Sequence, residues 1–217
     1  IFKQNVLSAV GGRENIMFLC DDSVFTRSFD LKKIVEFLGN KNDIYSSGCL
    51  GVSLRLGNNT TECYSLSSKQ KLPEFMEMSN GLYLYDWTTS ELDFKYSLEV
   101  SSSCYRSREI LPMLEHYDYP NPNMLEHLLY QNTPRFANFL PYLACYPISV
   151  CFSVPANKVQ NVNNNKFASD EFYYDPDELL SFYLRGIWID PSELDGVVST
   201  GAHMPYLYMF VEKDEEV

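Results

Sequence analysis

The stretch IMFLCDDSVF (16–25) runs an apolar segment straight into two adjacent carboxylates, Asp21 and Asp22, before the chain turns apolar again. Like charges side by side at the end of a buried-type strand are unfavourable unless something positive lies beside them. Three readings compete. In the first, Asp21 caps the following turn and Asp22 is solvated. The second is an aspartyl phosphotransfer site, which needs carboxylates two residues apart followed by Thr or Val; Ser23 breaks that pattern. The third is a hard divalent cation at the carboxyl end of a sheet strand, neutralising the pair and holding a diphosphate. Arg55, in SLRLG, carries a fork of donors that suits a diphosphate, or else pairs with one of the chain's many acids.

The elements that must position these groups follow from periodicity and caps. Residues 2–10 read as a helix ending at Gly11–Gly12, and 15–20 as a short buried strand that ends at the aspartates. Leu31, Ile34, Val35 and Leu38 share one helical face, with Ser28 or Asp30 as cap and Gly39 as stop. Strands are expected at 49–57, 62–66, 81–87, 146–154 and 205–212, with 67–80 as loop. Residues 107–117 read as a helix despite Pro112. Asn121 with Pro122, and Asp175 with Pro176 and Glu178, start two further helices. The polar run 161–166 reads as loop. The order is that of a mixed α/β sheet in one domain, 1–217, with helices on both faces.

Composition bounds the partners. Seventeen Lys plus Arg against 29 Asp plus Glu give a net charge of -12, which argues against a general nucleic-acid binder. A phosphate-bearing small molecule stays open, since a divalent cation can bridge acid to phosphate. Six cysteines without C-x-x-C spacing read as buried free thiols of a reducing cytoplasm. No apolar run is long enough for a bilayer span, so no transmembrane segment is expected, while peripheral membrane contact stays open. Sixteen Tyr and fourteen Phe suit sugar stacking but are assigned mainly to the core. The chain opens without Met on an amphipathic helix and reads as a piece whose beginning lies upstream.

FLCDDSVF resembles the acidic strand end of GT-A nucleotide-sugar glycosyltransferases, and IFKQNVLSAV takes the place of the helix under their donor site. SLRLG, the stretch 85–111, YPNPNMLEHLL (119–129), SVPANKVQNVNNN (153–165) and ELLSFYLRGIWID (178–190) are similar, in order, to later parts of family 2-like enzymes and of a bacterial subgroup of these glycosyltransferases. The departures are SSS near residue 101 in place of a Gly-containing turn, and the missing first strand. The resemblance implies a metal-dependent, inverting transferase that moves a sugar from a nucleotide-sugar donor to a glycan or lipid-linked acceptor. Mn²⁺ or Mg²⁺ would be held by Asp22 with Asp21, and His203, in STGAHMPY, stands where some of these enzymes place a further ligand. Glu126 matches the acid that acts as general base; its alternative is a solvated acid stabilised by the helix dipole. Trp87 and Asp93 flank an expected acceptor wall. A non-catalytic carbohydrate-binding or fragmentary domain on the same scaffold is the alternative.

Overall fold

The computed structural model describes residues 1–155 and 175–212. In order, the chain forms α1 (Phe2–Val10), β1 (Asn15–Met17), β2 (Ser23–Phe25), α2 (Leu31–Gly39), α3 (Ile44–Ser47), β3 (Cys49–Ser53), β4 (Glu62–Cys63), β5 (Ser68–Lys69), β6 (Met76–Glu77) and β7 (Tyr83–Asp86). There follow α4 (Leu92–Lys95), β8 (Ser103–Arg106), α5 (Ser107–His116), α6 (Pro122–Asn132), β9 (Tyr142–Cys145), β10 (Cys151–Ser153), α7 (Pro176–Leu184), β11 (Ile187–Ile189) and β12 (Phe210–Glu212).

The main sheet is mixed, in the order β1-β8-β3-β9-β7-β6. β8 runs antiparallel to both β1 and β3, and β3 runs parallel to β9. The carboxyl ends of β1, β3 and β9 therefore meet the start of β8 at one end of the sheet. β2 and β10 form a separate antiparallel pair beside that end.

The core divides into two layers: Cys104 and Tyr105 alternate across β8, while an irregularity in β3 between Cys49 and Val52 sends Leu50 and Val52 to opposite faces. Leu50 and Tyr105 face Val10 of α1, Ile110 and Leu114 of α5, and Leu125 and Leu129 of α6. Val52 and Cys104 face Ile34, Phe37 and Leu38 of α2. Helices thus cover both sheet faces, as expected for an α/β chain. Three caps form as read: Asp30 accepts from Lys33 N–H, Asn121 from Met124 N–H, and Asp175 from Asp177 and Glu178 N–H.

Several expectations need correction. The strand read over 15–20 stops at Met17, and Asp21 and Asp22 sit in a turn between strands of different sheets. The strand read over 205–212 is confined to 210–212, and that over 146–154 to 151–153. Residues 64–66 are a 3₁₀ turn rather than strand. Residues 67–80 contain β5 and β6. The loop read over 161–166 lies outside the described residues.

Gly51 shows how tightly the sheet centre is packed. A Cβ there would sit 2.5 Å from Tyr105 Cδ1 and 2.7 Å from the Cys104 carbonyl oxygen. Gly51→Ala is expected to lower unfolding free energy by about 1–3 kcal/mol in urea titration. Gly39→Ala, which meets nothing within 4 Å, is the control and should not lose stability.

Candidate functional site

Arg55 lies just beyond β3, at the carboxyl end of the sheet. Leu54 N–H donates to Ser102 O, and Val150 and Cys151 N–H donate to Leu54 O, so the backbone before Arg55 is tied on both sides. The side chain is buried, 6% exposed. Its Nη2 lies 3.1 Å from Glu99 Oε2, and its Nη1 lies 3.3 Å from His203 Nε2.

Glu99 organises the loop that leads into β8. Its Oε2 accepts from Ser101 and Ser102 N–H, and its Oε1 from the Ser103 hydroxyl. Tyr105 Oη bridges the backbone of the same loop through Ser97 O and Glu99 O. Sequence reasoning passed over Glu99. Its signal was a lone acid in an apolar context followed by three serines, SLEVSSSC (97–104), a pattern that offers consecutive N–H groups to a carboxylate.

The turn carrying Asp21 and Asp22 leans on this loop. Ser23 N–H donates to Cys20 O, and the Ser23 hydroxyl donates to Ser101 O. Asp21 is exposed and Asp22 half-buried. Burial pushes the Asp22 carboxyl above the ordinary range, Arg55 pulls it back, and Asp21 raises it further. Asp22 Oδ1 is buried with no hydrogen-bond partner. The neighbouring Ser153 hydroxyl is near enough to lower the Asp22 pKa but makes no hydrogen bond of normal geometry.

His203 arrives from far along the sequence by backbone contacts. Asn59 donates to Ser199 O, Glu62 N–H donates to Thr200 O, and Ser153 pairs with His203 in an isolated parallel bridge. Gly201 allows this approach, since a Cβ there would lie 2.7 Å from Glu62 O. Burial and the adjacent guanidinium push the His203 pKa down to about 3, so the ring is neutral. Arg has no acceptor, so Nε2 must accept from it and Nδ1 carries the proton. That Nδ1–H is buried without a partner. His203 therefore accepts from Arg55 through Nε2 and turns Nδ1–H toward the same cluster.

Two more carboxylates feel the same guanidinium. Glu126, in the second turn of α6, accepts from Val100 N–H at 3.3 Å. Burial raises its pKa, Arg55 opposes the rise, and Glu99 and Asp22 add to it. Asp93 follows Leu92, whose φ of 51° is left-handed, and its carboxylate is held by Gln70 Nε2 at 3.3 Å and by Cys63 Sγ at 3.5 Å. Burial raises the Asp93 pKa too, against Arg55 and those two bonds. Burial alone would lower the Arg55 pKa, but Glu99, Glu126 and Asp93 outweigh it and hold the guanidinium above its ordinary value. The sheet end thus collects Asp22, Asp93, Glu99 and Glu126 around one fixed cation, with unpartnered polar atoms on Asp22, Ser153 and His203.

Trp87 does not join this group. It is 4% exposed in the core, and its indole N–H donates to Leu140 O at 2.8 Å. Its ring has no open face for a sugar, so its assignment to an acceptor wall is corrected. Among the described residues, no three His, Cys, Asp or Glu side chains gather as a metal-ligand set, and no helix is long and apolar enough to cross a membrane.

The depressed His203 pKa has a measurable consequence. The unfolded imidazole binds a proton below its ordinary value of 6.5, while the folded one stays neutral down to about 3. Unfolded chains then hold more protons across that window, so the His203 contribution is lost as pH falls through it. The raised carboxylates act in the opposite sense, losing stability as pH rises through their shifted values. His203→Asn should therefore flatten the acid-side decline of the melting temperature relative to wild type between pH 6 and 4, within the window set by the two His203 values.

No protein-family model, no curated protein and no solved structure matches this chain.

Proposed function

We propose that this chain is a glycosyltransferase that moves a sugar from a nucleotide-sugar donor to a glycan or lipid-linked acceptor, with inversion. The supporting observation is the fixed Arg55 guanidinium beside the unpartnered atoms of Asp22, Ser153 and His203, with the raised Glu126 carboxyl facing the same charge. The position of this group supports the reading as well, since open α/β sheets bind ligands at strand carboxyl ends. The GT-A-like form of the sheet is part of the proposal. It is supported by β1 and β3 pointing the same way with β8 reversed between them.

In the proposed reaction, an acceptor hydroxyl attacks the anomeric carbon of the donor sugar and the nucleoside diphosphate leaves. Glu126 takes the hydroxyl proton; a carboxyl raised above its usual range is the better base near neutrality. Arg55 faces the charge that grows on the leaving diphosphate, and its bonds to Glu99 and His203 spare it reorganisation. His203 Nδ1–H and the Ser153 hydroxyl are donors for oxygens of the donor substrate. Asp93 is placed to accept from a sugar hydroxyl.

Mn²⁺ or Mg²⁺ belongs to this proposal through Asp22. Its unpartnered Oδ1 fits an ion that takes one or two carboxylates and completes its shell with substrate phosphates and water. Exposed Asp21 is the second carboxylate of that set. When bound, the ion supplies charge neutralisation of the leaving diphosphate.

A carbohydrate-binding domain without catalysis is the second reading. It is favoured by the bond from Val100 N–H to Glu126, which gives that acid a structural task. Calorimetric titration separates the two. Metal-dependent binding of UDP supports the transferase, whereas binding of free sugars with no response to UDP supports the second reading and counts against the first.

A further inference from the structure

A stacked tyrosine pair stands at the edge of the Arg55 group. The centroids of the Tyr96 and Tyr130 rings are 4.5 Å apart, and the rings lie 25° from parallel. Tyr96 closes the C-terminal end of α4, and its N–H donates to Asp93 O. Tyr130 comes from α6, four residues after Glu126, so ring and carboxylate share one helical face. The two elements that carry Asp93 and Glu126 are thus joined through these rings. Tyr96 lies over one face of the Tyr130 ring, and Tyr130 is 43% exposed, which leaves its other face to solvent. Trp87, by contrast, is enclosed in the core.

The chemistry beside the rings selects the ligand. Burial raises the Tyr96 phenol, Glu126 raises it further and Arg55 opposes the rise, so the pair faces the same charges as the acids do. Glu126 gives Oε1 to Val100 N–H, while its Oε2 makes no hydrogen bond among the described residues. Side chains four apart on a helix have Cβ atoms about 6 Å from each other, the span of one sugar ring. A pyranose offers a C–H face that packs on an aromatic ring and rim hydroxyls that donate to a carboxylate. A cationic ligand would also suit a ring beside an acid. Here the Arg55 guanidinium already acts on that acid and would repel a second cation. An anion would meet Glu126 directly.

We propose that Tyr130, backed by Tyr96, is the sugar platform of this site: the C–H face of a neutral pyranose packs on the open face of the Tyr130 ring, and a hydroxyl at its rim donates to Glu126 Oε2. Tyr96 is a positioning residue that fixes the tilt of the platform. This rests on the carbohydrate reading of the site, which the transferase and the non-catalytic binding domain share. In the transferase, the platform brings the acceptor hydroxyl to its base.

The test uses the full chain and saturation-transfer NMR with methyl β-D-glucopyranoside, methyl β-D-galactopyranoside and methyl α-D-mannopyranoside, with choline as the cationic comparison. At least one glycoside is expected to bind saturably and to resist displacement by choline. Tyr130→Leu keeps an apolar side chain at this exposed position but removes the flat ring; it should bind the glycoside at least about fivefold more weakly. Tyr130→Phe keeps the ring and should keep the binding, and both variants should melt close to wild type by circular dichroism. The proposal is overturned if no glycoside binds, if Tyr130→Leu binds as well as wild type, if Tyr130→Phe loses binding along with Tyr130→Leu, or if choline displaces the glycoside. UDP with Mn²⁺ is titrated into the same wild-type samples. Glycoside binding without UDP binding removes the transferase reading and leaves the platform standing, whereas UDP binding without glycoside binding removes the platform and leaves that reading standing.

Discussion

Glu126→Gln is expected to lower sugar transfer by about 10²- to 10⁴-fold, the usual contribution of a general base, while leaving UDP affinity unchanged. The amide keeps the shape of the carboxylate and can still accept from Val100 N–H. It also removes one of the four acids crowded around Arg55. The carboxyl is raised by burial and by Glu99 and Asp22, so neutralising it relieves repulsion, and the melting temperature at neutral pH should not fall. The pH profile gives an independent reading. The base must be ionised to work, so the acid limb of kcat/KM in wild type lies above the ordinary glutamate value of 4.5 and disappears in the residual activity of the variant. Transfer at the wild-type rate would remove Glu126 from the chemistry and leave it as the anchor of the 99–103 loop.

Arg55→Met carries the largest expected stability effect. Glu99 is 3% exposed and its charge is matched by the guanidinium at 3.1 Å. Deleting one partner of a buried pair strands the other and costs about 3–5 kcal/mol. Asp22, Asp93 and Glu126 lose the same neutralising charge. Their pKa values should rise further, so the variant should recover part of its loss on mild acidification. Arg55→Met/Glu99→Gln should also recover part, because no unpaired charge stays buried. Arg55→Lys should not rescue, since one ammonium cannot reproduce the fork that reaches Glu99 and His203 together. Urea titration measures all of these. A loss below about 1 kcal/mol for Arg55→Met would place Arg55 with the weak, solvated surface pairs.

Local sequence signals suffice where local chemistry decides the outcome. The caps at Asp30, Asn121 and Asp175 need only one side chain and the next turn, and the mixed α/β class follows from such elements in order. β8 and β9 escaped notice. SCYR and YLAC have little of the length or alternation of a strand, and they become central because neighbours from both sides of the chain pair with them. The site shows the same division. Asp22, Arg55, Asp93, Glu126 and His203 each stood out as a residue type in a suggestive context, but nothing in the sequence says that one guanidinium gathers them. Glu99 was invisible for that reason, since its role depends on a loop folding back over β3. An aromatic residue before a polar loop, such as Trp87, looks the same in sequence whether its ring is a wall or core. Its hydrogen bond to Leu140 decides the matter.

The central claim is that Asp22, beside a fixed Arg55, holds a metal–diphosphate group. Titrating UDP into wild-type chain and into Asp22→Ala, each with and without Mn²⁺, tests it most directly. Asp22 is half-buried and its Oδ1 has no partner, so the variant breaks no hydrogen bond at that oxygen and should fold. The account predicts Mn²⁺-dependent UDP binding in wild type and its loss in Asp22→Ala. Metal-dependent binding that survives unchanged in Asp22→Ala, or no UDP binding by wild type with Mn²⁺ present, would contradict it.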